Sequence, residues 1–292
     1  MDNAGVISEN AGMMERVVHR LNQQGLLGKL LRLLQKLGLL TFAFRIYERL
    51  SALNSPGRPG TLAPVADADG PLPPPELRVL VAGTPSVEWF VSFGQTMFQM
   101  IVNLLRKQDV SVENMSAILE FGCGCGRVLR YWERMHGPAI YGTDYNSRLI
   151  AWCQQNLPFA RTDINQLQPP LAYADQCFDF IYVISVFTHL AQEAQVPWIH
   201  ELTRVLRAGG YLLITTHGES FRSKLSPSEW ATFAAGSLVV RYEETSGTNL
   251  CSAYHPPAFV RNQLAPGYTV CDFIPAGQQA GVLQDVYLLR KS

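Results

Sequence analysis

The chain has 292 residues, and its 24 basic and 24 acidic side chains cancel. That balance argues against a nucleic-acid coat or an acidic tail, and 47% hydrophobic against 16% charged residues describe a core-forming globular chain. Six cysteines are too thin for a disulfide scaffold, the opening MDNAGVISEN lacks the basic-then-apolar order of a signal peptide, and the longest strongly apolar run, Leu37 to Phe44, is too short to span a bilayer. The expected setting is therefore reducing and cytoplasmic, with no disulfides.

In chain order, residues 1–53 read as a helical extension. Leu26, Leu30, Leu33, Leu34 and Leu37 recur at helical spacing, and Lys29, Arg32 and Lys36 line another face. Phe44, Ile46, Tyr47, Leu50 and Leu53 form a second set, so two short helices divide near Gly38. Two uses of this pair are open. One is a basic amphipathic surface in peripheral contact with an anionic membrane or a partner. The other is a helix packed on its own domain with its cations in water. Residues 54–75 hold seven prolines and read as an extended linker.

From 76 to 292, strand-like runs alternate with helical patterns. A helix over 84–105, with Trp89, Phe90, Phe93 and Phe98, precedes ILEF at 118–121. It either covers a ligand or packs a core. A glycine cluster and the helical RVLRYWERM follow. AIYGTD at 139–144 precedes SRLIAWCQQN, and FDFIYVI at 178–184 precedes a helix at 191–207 that stops at Gly209–Gly210. YLLITT follows at 211–216. Apolar strands separated by helices imply a parallel sheet covered on both faces. YTVCDFI at 268–274 and DVYLLRK at 285–291 read as a hairpin on one sheet edge. The long connection 219–250 reads as a lid or an extra hairpin.

The string Glu120-Phe121-Gly122-Cys123-Gly124-Cys125-Gly126 stands where a buried strand ends and a helix is expected. Ligands of open parallel sheets bind at such carboxyl ends. Alternate glycines let the backbone turn tightly and approach a ligand, and a following helix would offer N–H groups to an anion. The dinucleotide fingerprint G-x-G-x-x-G fails, because Arg127 or Leu129 occupies the sixth position. A nicotinamide oxidoreductase is disfavoured accordingly. Cys123 and Cys125 form C-x-C without a second pair, which is not zinc-finger spacing, so no metal site is expected.

The observed E-x-G-x-G-x-G resembles the first motif of class I S-adenosylmethionine-dependent methyltransferases, and the resemblance continues from Pro73 to the C-terminus. It implies an α/β, Rossmann-like, doubly wound sheet of seven strands, mostly parallel, with an antiparallel last strand. It also implies S-adenosyl-L-methionine as cofactor, held by Glu120, Gly122, Gly124, Gly126, Asp144 and Asp163. Asp144, 22 residues after Gly122, matches the acid that meets ribose hydroxyls, and Asp163 the acid near the adenine amino group. FDFIY at 178–182 resembles the fourth-strand motif, and LRAGGYLLITT the glycine turn into the fifth strand. PPPELRVLVAGT, SVFTHL, TTHG and QDVYLLRK resemble a bacterial subset associated with glycan and small-molecule biosynthesis. That subset implies a small-molecule or glycan-like acceptor and no nucleic acid, and oxygen is the atom expected to receive the methyl.

A hydroxyl acceptor benefits from a general base at the carboxyl edge of the sheet. His189 follows the fourth strand and His217 the fifth, and these are the candidate bases. His255, in Ala253-Tyr254-His255-Pro256, is a weaker third. Each could instead be a hydrogen-bonded structural histidine. A non-catalytic protein that retained the fold is the rival to the enzyme.

Overall fold

The structure is a computed structural model that describes residues 26–53, 70–278 and 281–292. The chain divides into two compact units, 1–90 and 91–292. The proline-rich stretch lies outside the described residues up to 69, so its linker reading falls mostly beyond them.

The first unit contains α1 (Leu26–Lys36), α2 (Leu40–Leu53) and α3 (Pro75–Ala82). A turn at Leu37–Gly38 separates α1 from α2, at the break expected near Gly38. Pro75 opens α3, a place where its missing N–H costs no helical bond. The fourth helix, α4 (Val87–Lys107), runs across the division into the second unit.

The second unit is built on one seven-stranded sheet. Its strands are β1 (Ala117–Phe121), β2 (Ala139–Asp144), β3 (Ala160–Ile164), β4 (Phe178–Val183), β5 (Leu206–Thr216), β8 (Tyr268–Ile274) and β9 (Asp285–Lys291). The spatial order is β3-β2-β1-β4-β5-β9-β8. The first five pair in parallel, and β9 inserts antiparallel between β5 and β8. The strand order reverses between β1 and β4, so the connections after these two strands diverge there.

Both faces of the sheet are apolar because both are covered. Ile118, Phe180, Tyr182, Leu213 and Leu288 pack with Met97, Met100, Ile101 and Leu104 of α4, and with Ile150 of α5 (Ser147–Asn156). The alternate residues Leu119, Ile181, Val183, Leu212 and Leu289 pack with Trp198, Ile199 and Leu202 of α6 (Gln192–Val205). Consecutive large apolar residues such as Ile118–Leu119 thus serve opposite layers.

Two elements depart from the sequence expectations, and a third, the connection 219–250, supplies the extra strand pair expected of it. RVLRYWERM forms no α-helix: turns run to Val128, and a 3-10 helix spans Leu129–Arg134. The helix expected over 191–207 ends at Val205, and Leu206 already pairs with Phe178. Gly209 and Gly210 therefore lie inside β5, where a register shift opposite Phe178–Phe180 absorbs extra residues. The connection 219–250 holds a 3-10 turn at Glu219–Lys224, α7 (Pro227–Ala234) and β6 (Val239–Arg241). Strand β6 pairs with β7 (Ser252–Tyr254) as a small separate sheet.

Asp179 of the FD pair works at the opposite end of the sheet from the glycine loop. Its Oδ2 accepts from the N–H groups of Ser116 (2.6 Å) and Ala117 (2.9 Å), and its Oδ1 pairs with Arg207. It fastens the start of β1 to β4. Replacing Asp179 by alanine leaves two N–H groups and one guanidinium short of an acceptor, and should lower stability by about 1–3 kcal/mol. Urea unfolding measures that loss, and ligand affinity of the folded fraction should stay unchanged.

Candidate active site

The site begins where β1 ends. Gly122, Gly124 and Gly126 have φ of 75°, 56° and 74°, the left-handed region that penalises any Cβ. Two of them are also tightly enclosed. A Cβ on Gly122 would stand 2.2 Å from Val186 Cγ2, and one on Gly126 would stand 2.3 Å from Leu157 Cδ1. Main-chain bonds anchor the loop to β2, since the Thr143 carbonyl accepts from the N–H groups of Gly122 (2.7 Å) and Cys123 (3.0 Å).

Asp144 ends β2 beside this loop. Its Oδ2 accepts from Gly124 N–H at 2.9 Å, and its Oδ1 from Asn146 N–H at 2.8 Å. Burial raises its pKa, and the two N–H groups oppose the rise. Each carboxylate oxygen can accept a further bond. Asp163 stands across β2 in register with Thr143, its side chain exposed, with the Tyr173 hydroxyl 3.3 Å from Oδ2. Thr143 Oγ1 lies 2.9 Å from both the Asp163 carbonyl and Asn165 Oδ1, which ties the two strand ends together.

Glu120 points into the core. Its Oε2 accepts from the Tyr182 hydroxyl at 2.8 Å, and that hydroxyl accepts from Trp132 Nε1 at 2.8 Å. Burial dominates and raises its pKa to about 8, with Tyr182 and Arg127 opposing. At neutral pH the group is mostly a carboxylic acid. The thiols of Cys123 and Cys153 approach the Gly124 carbonyl at 3.7 and 3.4 Å, and buried contacts hold the Cys123 pKa well up. Cys123 and Cys125 are thus neutral, enclosed thiols, and among the described residues no His, Cys, Asp and Glu group is arranged for a metal ion.

The histidines follow β4 and β5. Ser185, just beyond β4, has φ of 61°, a left-handed conformation for a residue with a Cβ. Its N–H bonds Thr215 Oγ1 at 2.8 Å, and its Oγ reaches Gln284 Oε1 at 3.1 Å. Thr215 Oγ1 donates to the same Oε1 at 2.6 Å. The Gln284 amide nitrogen therefore faces His217 Nε2, at 3.3 Å, and donates to it. The His217 lone pair is engaged and its proton sits on Nδ1. Burial lowers its pKa to about 3, with nearby His189 adding to the effect.

His189 differs. Its Nδ1 lies 2.6 Å from the Cys251 carbonyl, which can only accept, so Nδ1 carries the proton and Nε2 keeps its lone pair. Burial lowers its pKa. Its ring stands edge-on to His217, with centroids 6.4 Å apart. The connection after β6 crosses over it. Gly247 N–H bonds the His189 carbonyl at 2.8 Å, and the Tyr145 hydroxyl bonds the Gly247 carbonyl at 2.8 Å. His255 joins this edge through its main chain, its N–H bonding the His217 carbonyl at 2.8 Å. Its fully buried ring turns to Gln195, with Nε2 3.1 Å from Oε1 and a pKa lowered to about 3 by burial, His217 adding to the effect.

Residues 119–214 match the family model described as a methyltransferase domain, which takes in the loop and most of β1 through β5. This segment is a methyltransferase domain. The chain is similar to a phthiotriol/phenolphthiotriol dimycocerosates methyltransferase of Mycobacterium ulcerans. The two are 32% identical over 47% of this chain and 49% of that protein. It is also similar to a fatty-acid O-methyltransferase of Mycolicibacterium smegmatis, 36% identical over 34% and 36% of the two chains. The chain thus spans half or less of these curated relatives. A Listeria monocytogenes structure, solved as a candidate S-adenosylmethionine dependent methyltransferase, aligns with a TM-score of 0.51 at 11% identity. That alignment covers 69% of this chain and 99% of the other, and it concerns the fold alone.

Within the methyltransferase domain the structure gathers Gly122, Gly124, Gly126 and Asp144 at one strand end, with Asp163 on the neighbouring strand. His189 and His217 stand together beyond β4 and β5. Glu120 turns inward to Tyr182. Sequence reading missed Gln284, Thr215 and Asn165, whose partners lie on other elements and leave no spacing signal. The positive φ of Ser185 was equally hidden.

Glu120 makes stability depend on pH. Its folded pKa is above its ordinary value near 4.5, so the folded state holds the proton more tightly. Its contribution is fully present below about 4.5 and is lost as pH rises through about 8. Glu120→Gln should flatten the fall in Tm between pH 6 and 8 relative to the wild type, as scanning calorimetry in matched buffers would read.

Proposed function

We propose that this protein transfers the methyl group of S-adenosyl-L-methionine to an oxygen of a small-molecule acceptor, with His189 as the base. The observation that carries the reading is the left-handed glycine loop clamped to the Asp144 carboxylate inside the methyltransferase domain. Those residues suit the cofactor. Asp144 has accepting capacity left for ribose hydroxyls, and exposed Asp163 can accept from an amino group. Small glycines permit close approach of a ligand to backbone.

Bound there, the cofactor supplies an electrophilic methyl. The chain's own residues then position the acceptor and take its proton. His189 Nε2 can receive a proton from an acceptor hydroxyl, while the Cys251 carbonyl holds Nδ1–H and fixes the ring. His217, with its lone pair engaged by Gln284, is the supporting residue of the pair. The dimycocerosates and fatty-acid substrates named for two relatives favour an apolar acceptor over a glycan-like one. The zero net charge favours a small molecule over a nucleic acid.

The test is transfer of labelled methyl to fatty acids and long-chain alcohols, with the wild type and two variants. Asp144→Asn should weaken cofactor affinity roughly 5- to 150-fold, the cost of about 1–3 kcal/mol of lost charge-assisted bonding. With a long-chain alcohol as acceptor, His189→Ala should lower turnover about a hundred- to ten-thousandfold with cofactor affinity nearly intact. A fatty acid, already a carboxylate at neutral pH, brings no proton for the base to take. Because burial lowers the His189 pKa, the acid limb of the rate profile should fall below the usual 6.5, leaving a flat profile from pH 7 to 8. Full turnover of the alcohol by His189→Ala would remove the base. Undiminished cofactor affinity in Asp144→Asn would remove the ribose assignment.

A further inference from the structure

Residues 26–53 concentrate both charge and exposed apolar surface. They carry Lys29, Arg32, Lys36, Arg45 and Arg49 against one acid, Glu48, a net of +4 in a chain whose total is zero. All five cationic side chains are exposed. So are Leu30, Leu33, Leu37, Leu39, Phe42 and Ile46, with Phe42 66% and Leu37 60% accessible. These six are nearly half of the thirteen exposed large hydrophobics among the described residues. A segment this short would carry far fewer if such residues were scattered over the surface.

The pattern is ordered. Leu30 and Leu33 form a stripe along α1 that continues into the turn at Leu37. Lys29, Arg32 and Lys36 each precede one of them, which places the cations about 100° round the helix, along one edge of the stripe. On α2, Phe42 and Ile46 stack one turn apart, and Arg45 stands in the same relation to Ile46. No described helix is long and apolar enough to cross a membrane.

We propose that α1 and α2 seat the protein peripherally on an anionic lipid surface. The apolar residues would enter the acyl boundary, and the cations would meet the headgroups. Charge decides the occupant. A second copy would bring +4 against +4, whereas an anionic bilayer complements both the stripe and its flank. The proposal is independent of the methyl acceptor.

The experiment is vesicle flotation of the full chain, using phosphatidylcholine with and without phosphatidylglycerol. Recovery with the anionic vesicles is expected at low salt. It should drop at least about tenfold as salt rises from about 0.05 M to about 0.5 M, since surface charges are then screened. The triple variant Lys29→Glu, Arg32→Glu, Lys36→Glu should lose recovery about as much at low salt, and the double variant Leu33→Asp, Phe42→Asp likewise. Cofactor affinity and circular dichroism should stay at wild-type values in both. Two results would overturn the proposal: wild type absent from the anionic vesicles at low salt, or the charge-reversed triple floating equally well. A concentration-dependent dimer in sedimentation velocity, dispersed by the Leu33–Phe42 double variant and without vesicle recovery, would assign the face to a second copy instead.

Discussion

Thr143 and Asp144 hold the glycine loop in place, and much of the site depends on that attachment. A parallel sheet delivers its loops at the carboxyl ends, but leaves each loop free unless something fastens it. Here the last two residues of β2 do so with both kinds of acceptor. One main-chain carbonyl takes two successive N–H groups, and one carboxylate takes the next. The turn that results is possible only with glycines, and Val186 and Leu157 close against two of them. The same threonine reaches β3 through its hydroxyl, so three strand ends share one hydrogen-bonded seam.

Low local polarity is the second constraint. Around the loop and the histidines, enclosure favours the uncharged form of nearly every titratable group. Glu120 keeps its proton, His189 and His217 shed theirs, and the loop cysteines remain thiols. Where proton positions matter, hydrogen-bond partners set them: the Cys251 carbonyl for one imidazole, the Gln284 amide for the other. The pair therefore shares the Nδ1–H tautomer, with the His189 Nε2 lone pair left to act and the His217 one tied back.

Much of the sheet was legible from residue patterns because buried parallel strands are continuous apolar runs with turn residues between them. AIYGTD, SRLIAWCQQN, YTVCDFI and DVYLLRK occupy their expected ranges to the residue. Errors arose where local preference met tertiary demand. RVLRYWERM has helical spacing, yet it turns as a 3-10 segment that buries Trp132 against Tyr182. Gly209–Gly210 looks like a helix stop, but the paired strand begins three residues earlier. In the site, the glycines and acids were visible because their roles follow from residue type at a strand end. The Gln284 bridge was not visible, because it joins residues about 70–100 positions apart.

The position of β9 has a consequence for how the chain reaches this state. β5 is a central strand only because β9, far along the sequence, comes to lie beside it, with Tyr211 paired to Arg290. Until that arrival, Leu212, Leu213 and Ile214 form an unpaired, strongly apolar edge. A partly folded chain lacking the closing strand presents a template for pairing with other molecules. Solubility during refolding is thus governed by how quickly the last hairpin captures that edge.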